Sequence, residues 1–283
     1  MAELIKGREL ADNMQEQMRL EVADLKKQNI TPGLVVFLIG DDPASKTYIK
    51  NKEIAAQKIG IQSKLENFPA DISEAELLSE IKKYNNDPNY HGILVQLPLP
   101  EHIDEQKVLL TIDPKKDVDG FHPVNMGKLL LGQPEAIPCT PYGIMKMFEA
   151  YEIGLAGKNA LVIGRSNIVG KPMAQLLLAQ NATVTMAHSY TKNLPALARQ
   201  ADIIVSAVGK GHFVTKEFIK KGAVVIDVGM NRNENGKLIG DVKFDEVEPL
   251  TSFITPVPKG VGPMTITMLM QQTIEACKRQ ELD

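Results

Sequence analysis

The stretch Ala160-Leu161-Val162-Ile163-Gly164-Arg165-Ser166-Asn167-Ile168-Val169-Gly170-Lys171-Pro172 decides the fold. A short apolar run stops abruptly at Gly164, a second glycine follows at Gly170, and residues 173–179 read as a helix. Strand, tight turn and helix aim free backbone N–H groups at a phosphate. The glycines let the backbone come close where a Cβ would intrude. The pattern is not the usual G-x-G-x-x-G, because Ser166 stands where the second glycine would. Alone, it is also what ordinary strand-to-helix punctuation looks like.

The residues downstream strengthen the reading. Residues 183–187 form a second β-like run, followed by His188-Ser189. In NAD-binding folds an acid about 20 residues past the glycines holds the ribose 2′-OH. Here a hydroxyl and an imidazole stand in that place, with Arg165 available from the first turn. That combination suits a 2′-phosphate, so NADP is expected over NAD. A third run, 203–208, ends in Gly209, and a fourth, 223–228, ends in Gly229-Met230-Asn231. Buried-type strands ending in glycine or small polar residues make a parallel sheet with its ligand at the carboxyl ends.

Towards the N-terminus the chain is again built of α/β units, without the nucleotide-type turn. Leu10, Met14, Met18, Val22 and Leu25 recur at helical spacing. After Pro32-Gly33, residues 34–39 read as a buried strand. Gly40-Asp41-Asp42-Pro43 is then a turn and helix start, with Asp42 as N-cap and Pro43 at the first helical position. In the helix over 44–59, Tyr48 and Lys52 are one turn apart on a face that Ala55 and Ile59 continue inward. A lysine there either snorkels past apolar neighbours or is held in a cleft.

A strand over 61–67 and a capping box at Ser73-Glu74-Ala75-Glu76 follow. Gly92-Ile93-Leu94-Val95-Gln96-Leu97-Pro98-Leu99-Pro100 is an apolar strand whose one polar side chain, Gln96, lies at its carboxyl end. Such a group is hydrogen-bonded internally or faces a ligand. A short helix over 104–110 leads to Asp113-Pro114-Lys115-Lys116-Asp117-Val118-Asp119-Gly120, where the acids could simply form a turn. Residues 132–140 read as a connecting loop, 141–151 as a linker helix, 252–255 as a last strand and 264–279 as a final helix.

Composition narrows the function. The chain has 283 residues, a formal net charge of −3 and no basic block, so nucleic acid is not an expected partner. No apolar run approaches a membrane span and no signal-peptide pattern opens the sequence, which points to a cytoplasmic protein. Its 2 cysteines and 5 scattered histidines give neither a disulfide framework nor metal-ligand spacing. Cys139, Cys277 and His91 read as structural.

Taken in order, these motifs resemble the bifunctional methylenetetrahydrofolate dehydrogenase/methenyltetrahydrofolate cyclohydrolase (FolD) family over essentially the whole chain. The carriers are Tyr48-Ile49-Lys50-Asn51-Lys52, the 92–100 run, Lys116-Asp117-Val118-Asp119-Gly120 and Pro138-Cys139-Thr140-Pro141. With them stand Gly164-Arg165-Ser166, Val169-Gly170-Lys171-Pro172, Ile254-Thr255-Pro256-Val257-Pro258 and Gly260-Val261-Gly262-Pro263-Met264-Thr265.

The resemblance implies NADP-dependent oxidation of 5,10-methylenetetrahydrofolate to 5,10-methenyltetrahydrofolate, then hydrolysis to 10-formyltetrahydrofolate. It implies two α/β domains, a folate domain over 1–139 to which a helix over 264–283 returns, and a Rossmann-type NADP domain over 140–263. It further implies tetrahydrofolate derivatives held in a cleft between the domains, and a homodimer. Carried over by position, Lys52 is the catalytic lysine, Tyr48 packs on the folate, Gln96 partners the lysine and Asp119 grips the pterin. Pro263 joins the substrate contacts, and Gly164, Arg165, Ser166, Ser189 and Met230 match the dinucleotide contacts. One departure is Lys259, where the family shows glycine: a lysine there must tolerate the backbone angle or carry strain.

The residue types suit the chemistry. Hydride transfer from a methylene bridge between two nitrogens needs positioning more than acid–base help. Hydration and ring opening need proton transfer, which a lysine performs where burial or a neighbour lowers its pKa. Gln96 could hold the amine without the charge stabilisation of a carboxylate, while Asp119 could accept two parallel hydrogen bonds from an amino-pyrimidine edge. Hydride transfer alone does not require the lysine, which argues against a dehydrogenase lacking cyclohydrolase. A hydroxy- or amino-acid dehydrogenase would be expected to need a carboxylate-binding arginine in the first half, which offers only Arg8 and Arg19 on its opening helix.

Overall fold

Apolar runs, each closed by a turn and a capped helix, set the order of elements in this computed structural model, which describes residues 2–282. The first half runs β1 (Glu3–Leu4), α1 (Gly7–Lys27), β2 (Gly33–Ile39), α2 (Pro43–Ile59), β3 (Gln62–Phe68), α3 (Glu74–Asn85), β4 (Gly92–Val95), α4 (Glu105–Thr111) and α5 (Pro123–Leu130). The second half runs α6 (Cys139–Ala150), β5 (Asn159–Ile163), α7 (Gly170–Ala179), β6 (Thr183–Ala187), α8 (Leu194–Ala198), β7 (Ile203–Ser206) and β8 (Val224–Asp227). It closes with β9 (Asn231–Arg232), β10 (Leu238–Ile239), α9 (Phe244–Val247), β11 (Phe253–Ile254) and α10 (Val261–Glu281).

The chain divides into two compact units. One comprises residues 12–137 and 266–283, the other the first residues up to Ala11 together with Pro138–Thr265, so the division falls inside α1 and α10.

The unit carrying β2, β3 and β4 is a three-stranded parallel sheet in the order β3-β2-β4. Every residue of the central strand β2 is buried, whereas no residue of the edge strand β3 is more than half-buried. Phe37 of β2 stacks on Phe68 at 6.1 Å and meets the edge of Tyr84 at 5.6 Å, with Leu77, Ile81, Val95 and Val108 filling the same core. Full burial of such a side chain is worth roughly 1.5–3 kcal/mol.

Side-chain caps fix three helix starts, at Asp42 and Ser73 as the sequence predicts and at Asp104, which the sequence reading placed inside its helix. Asp42 accepts the Ser45 N–H at 2.7 Å, Ser73 that of Glu76 at 3.2 Å, and Asp104 that of Gln106 at 2.9 Å. The helix α5 is not anticipated. Its N-cap is His122, whose Nδ1 accepts the Val124 N–H at 3.1 Å, a capping residue outside the usual Ser, Thr, Asp and Asn set.

The other unit holds a six-stranded sheet, β1-β11-β8-β7-β5-β6, parallel throughout. Strands β7 and β8 stop short of the expected 208 and 228, where the N–H groups of Val208 and Gly229 donate to the carboxylates of Asp241 and Asp227 instead of to a neighbouring strand. The two-residue strand β1 and the β9–β10 hairpin are additions to the sequence reading. Helix α10 begins at Val261 rather than 264, since Pro263 is tolerated in a first turn.

Candidate active site

Of the folate-type residues, Tyr48, Lys52, Gln96 and Asp119 lie in the unit of residues 12–137 and 266–283, and Pro263 lies in the other. Gly40-Asp41-Asp42 leads from the end of β2 into α2, which presents Tyr48 and, one turn later, Lys52, both half-buried. Gln96 follows the last residue of β4, and its N–H donates to the Phe37 carbonyl of neighbouring β2 at 2.9 Å. That pairing places it beside α2: Lys52 Nζ donates to Gln96 Oε1 at 3.0 Å. The Gln96 Nε2 donates to the Leu97 carbonyl at 2.8 Å, so the amide is held with its oxygen towards the ammonium. The lysine's amide partner is therefore neutral, as the residue types suggested.

Asp119 lies on a loop bonded to the edge of the sheet. The Ile93 N–H donates to the Lys116 carbonyl at 2.8 Å, and Ile93 bridges Asp117 in parallel fashion. The sequence left Asp117 as a possible turn residue; it organises the loop. Buried to 3% exposure, its carboxylate accepts the N–H groups of Gly120 (3.0 Å), Phe121 (3.3 Å) and His122 (2.8 Å) and Asn125 Nδ2 (2.8 Å). Lys116 beside it is buried and donates to the carbonyls of Tyr84 and Asp87 at 2.9 and 2.7 Å, which caps the end of α3. Burial pushes its ammonium below the usual lysine range. The half-buried Asp119 thus stands on a braced loop.

The dinucleotide-type residues are in the other unit. Gly164 has φ +133°, and a Cβ there would lie 2.4 Å from the Ala207 carbonyl oxygen. At Gly170 a Cβ would lie 2.3 Å from the Gly164 oxygen. Only glycine allows the ends of β5 and β7 and the start of α7 to close up this far. Ser166 also stabilises the turn, since its Oγ accepts the N–H groups of Val169 at 3.2 Å and Gly170 at 3.3 Å at the start of α7.

Arg165 and Ser189 are exposed at the ends of neighbouring β5 and β6. The Arg165 guanidinium lies over the ring of Tyr190, 5.6 Å from its centroid, a partner the sequence reading missed. Met230 is 43% exposed after β8, its sulfur 3.6 Å from the Cβ position of Gly262, next to Pro263.

Two buried acids brace these loops and were also missed. Asp241 accepts the consecutive N–H groups of Val208 (2.8 Å), Gly209 (3.2 Å) and Lys210 (2.9 Å), the Ser206 hydroxyl (3.3 Å) and Asn231 Nδ2 (3.0 Å). Asp227 accepts the N–H groups of Gly229, Asp241 and Val242, each at 2.9 Å. Burial pushes the Asp227 carboxyl up to about 7 against the pull of these donors, and the Asp241 charge adds to the rise. Among the described residues, no group of three His, Cys, Asp or Glu side chains could hold a metal ion.

A family described as tetrahydrofolate dehydrogenase/cyclohydrolase, catalytic domain, matches residues 5–119, and its NAD(P)-binding domain matches 138–281. The bifunctional protein FolD of Enterococcus faecalis is 69% identical over 281 residues, covering 99% of this chain and 100% of its own. The crystal structure of FolD from Campylobacter jejuni superposes with a TM-score of 0.97 at 47% identity, covering 99% of both chains. The Trypanosoma brucei enzyme, crystallised with NADP cofactor and inhibitor, gives 0.96 at 38% identity, covering 100% of this chain and 99% of that one.

Proposed function

This chain belongs to the tetrahydrofolate dehydrogenase/cyclohydrolase family, and we propose that Tyr48, Lys52, Gln96 and Asp119 handle its folate while Gly164, Arg165, Ser166, Ser189 and Met230 hold its dinucleotide. It oxidises 5,10-methylenetetrahydrofolate with NADP and hydrolyses the methenyl product to 10-formyltetrahydrofolate. The site residues fit NADP: two glycines that clear the backbone, and an arginine with a serine where an NAD enzyme carries an acid. When bound, NADP supplies the hydride acceptor.

For oxidation the chain has only to orient the methylene bridge, because the cation formed is resonance-stabilised between two nitrogens. Hydrolysis is where side chains act. Water adds to the methenyl carbon, one of its protons is taken up, and a proton returns to the nitrogen that departs as the ring opens. Lys52 is the group we assign to that transfer, and Gln96 holds its nitrogen without adding a countercharge. Tyr48, one turn away, packs on the folate ring, Asp119 accepts from the amino-pyrimidine edge, and Pro263 adds a substrate contact.

The observation that carries this reading is the 3.0 Å bond from Lys52 Nζ to Gln96 Oε1. It is tested with two assays on one preparation: NADPH formation from methylenetetrahydrofolate, and decay of added methenyltetrahydrofolate. The expected result for Lys52→Met is a loss of hydrolysis by about 10²-fold or more, the usual weight of a positioned acid–base group, with part of the hydride transfer kept. Equal loss of both activities would move Lys52 from proton transfer to mere folate binding. The reading also includes a cytoplasmic homodimer, supported by the family resemblance; light scattering that gives a monomer would remove the dimer.

A further inference from the structure

Tyr190 has no part in the chemistry above, yet 79% of its surface stands in solvent. An aromatic ring so exposed is held with care. The Tyr190 N–H donates to His188 Nδ1 at 3.2 Å, the His188 N–H donates to Thr191 Oγ1 at 2.9 Å, and the Thr191 N–H donates back to the His188 carbonyl at 2.8 Å. The imidazole of His188 stands 6.1 Å from the ring at 69°, on an edge-to-face footing. Because Ile163 and Ala187 are register partners, the turns after β5 and β6 leave the sheet side by side, and the Arg165 guanidinium comes to rest on the Tyr190 face at 5.6 Å.

A guanidinium lying on a ring keeps all its N–H donors in its own plane, pointing outward and free for a bidentate anion. An arginine on a turn without such a ring must surrender its rotamer freedom when the anion arrives. We propose that Tyr190 is a positioning residue for the ribose 2′-phosphate: its ring holds Arg165 flat, with its N–H edge presented, and so helps set the preference for NADP over NAD. The proposal rests on the assignment of Arg165 to that phosphate. It predicts that Tyr190 contributes to phosphate recognition only through Arg165.

The test uses the full-length protein and the variants Tyr190→Ala, Tyr190→Phe, Arg165→Ala and the double variant Arg165→Ala/Tyr190→Ala. KM and kcat are measured for NADP⁺ and NAD⁺, and calorimetry follows binding of adenosine 2′,5′-bisphosphate and of 5′-AMP. Tyr190→Ala is expected to raise the NADP⁺ KM and the bisphosphate Kd about two- to fivefold, the weight of an exposed cation–π contact. Its kcat, its NAD⁺ KM and its 5′-AMP binding should stay put. Tyr190→Phe keeps the ring and should behave as wild type. The double variant should lose no more than Arg165→Ala alone.

Equal weakening of both dinucleotides would make Tyr190 a platform for the adenine base and overturn the proposal. Losses that add in the double variant, or an unaffected Tyr190→Ala, would overturn it as well. If Arg165→Ala leaves the NADP-to-NAD ratio unmoved, the assignment of Arg165 fails first, and does so separately. Cyclohydrolase activity on added methenyltetrahydrofolate needs no dinucleotide, so it reports whether each variant has folded.

Discussion

Lys52 and Gln96 are 44 residues apart in sequence, and a single hydrogen bond joins them. Replacing the amide by a carboxylate keeps the reach and adds a charge, which stabilises the ammonium against giving up its proton. Gln96→Glu is therefore expected to lower cyclohydrolase more than dehydrogenase activity; equal rates for wild type and variant would remove the neutral partner from the mechanism. Asp119→Asn keeps the shape but replaces one acceptor by a donor, and the folate KM should rise strongly. Lys259 poses a different question. Its φ of +81° lies in the left-handed region, and its carbonyl accepts the Arg8 N–H at 3.0 Å. Left-handed backbone costs an ordinary residue roughly 1–2 kcal/mol, and the freedom glycine adds to the unfolded chain returns about 0.4–1 kcal/mol of that. Lys259→Gly should accordingly gain about 0.5–1 kcal/mol, read as a higher midpoint in urea; a lower midpoint would mean that the lysine side chain stabilises the loop.

At the scale of elements, what could be read from the sequence was whatever a short window contains. The strands β5 to β8 show themselves as apolar runs ending in glycine or small polar residues, and α2 and α3 by Asp42 and Ser73 at their starts. A two-residue strand such as β1, exposed on both positions, has no periodicity to detect. Helix α5 hides behind a histidine cap and an interior glycine, Gly127. The bracing acids were illegible for another reason. Asp241 meets Val208, Gly209 and Lys210 across more than 30 residues of sequence, and only the fold brings them together. The close approach at Gly170 makes a sharp prediction at this scale. Gly170→Ala puts a methyl group against the rigid backbone oxygen of Gly164 and drives α7 off β5. NADP-dependent oxidation should be lost while hydrolysis of added methenyltetrahydrofolate survives. Survival of both would show that the turn yields.

For the whole molecule, two buried groups set opposite slopes of stability against pH. Burial holds His91 below its ordinary range, so under about pH 6.5 the unfolded chain takes up a proton that the folded chain resists, and stability falls as the medium is acidified. Asp227 is raised, to about 7. Its contribution is fully present below the ordinary carboxyl value of about 4 and is lost as the pH climbs through about 7. Asp227→Asn removes that titration. The variant should lie below wild type in urea midpoint at pH 5.5 and approach it at pH 8.5. A constant gap across the range would mean that Asp227 does not titrate there.

The parallel pairing of β1 with β11 has a consequence for how this protein is made. Glu3 sits opposite Phe253 and Leu4 opposite Ile254, so β1 lies at the sheet edge beside a strand translated about 250 residues after it. The six-stranded sheet cannot be completed until β11 has been synthesised, while β2, β3 and β4 are neighbours in sequence as well as in space and can pair long before. A nascent chain halted after β8 would carry a sheet with one long edge still open, and Glu3–Leu4 would be waiting for a partner not yet translated.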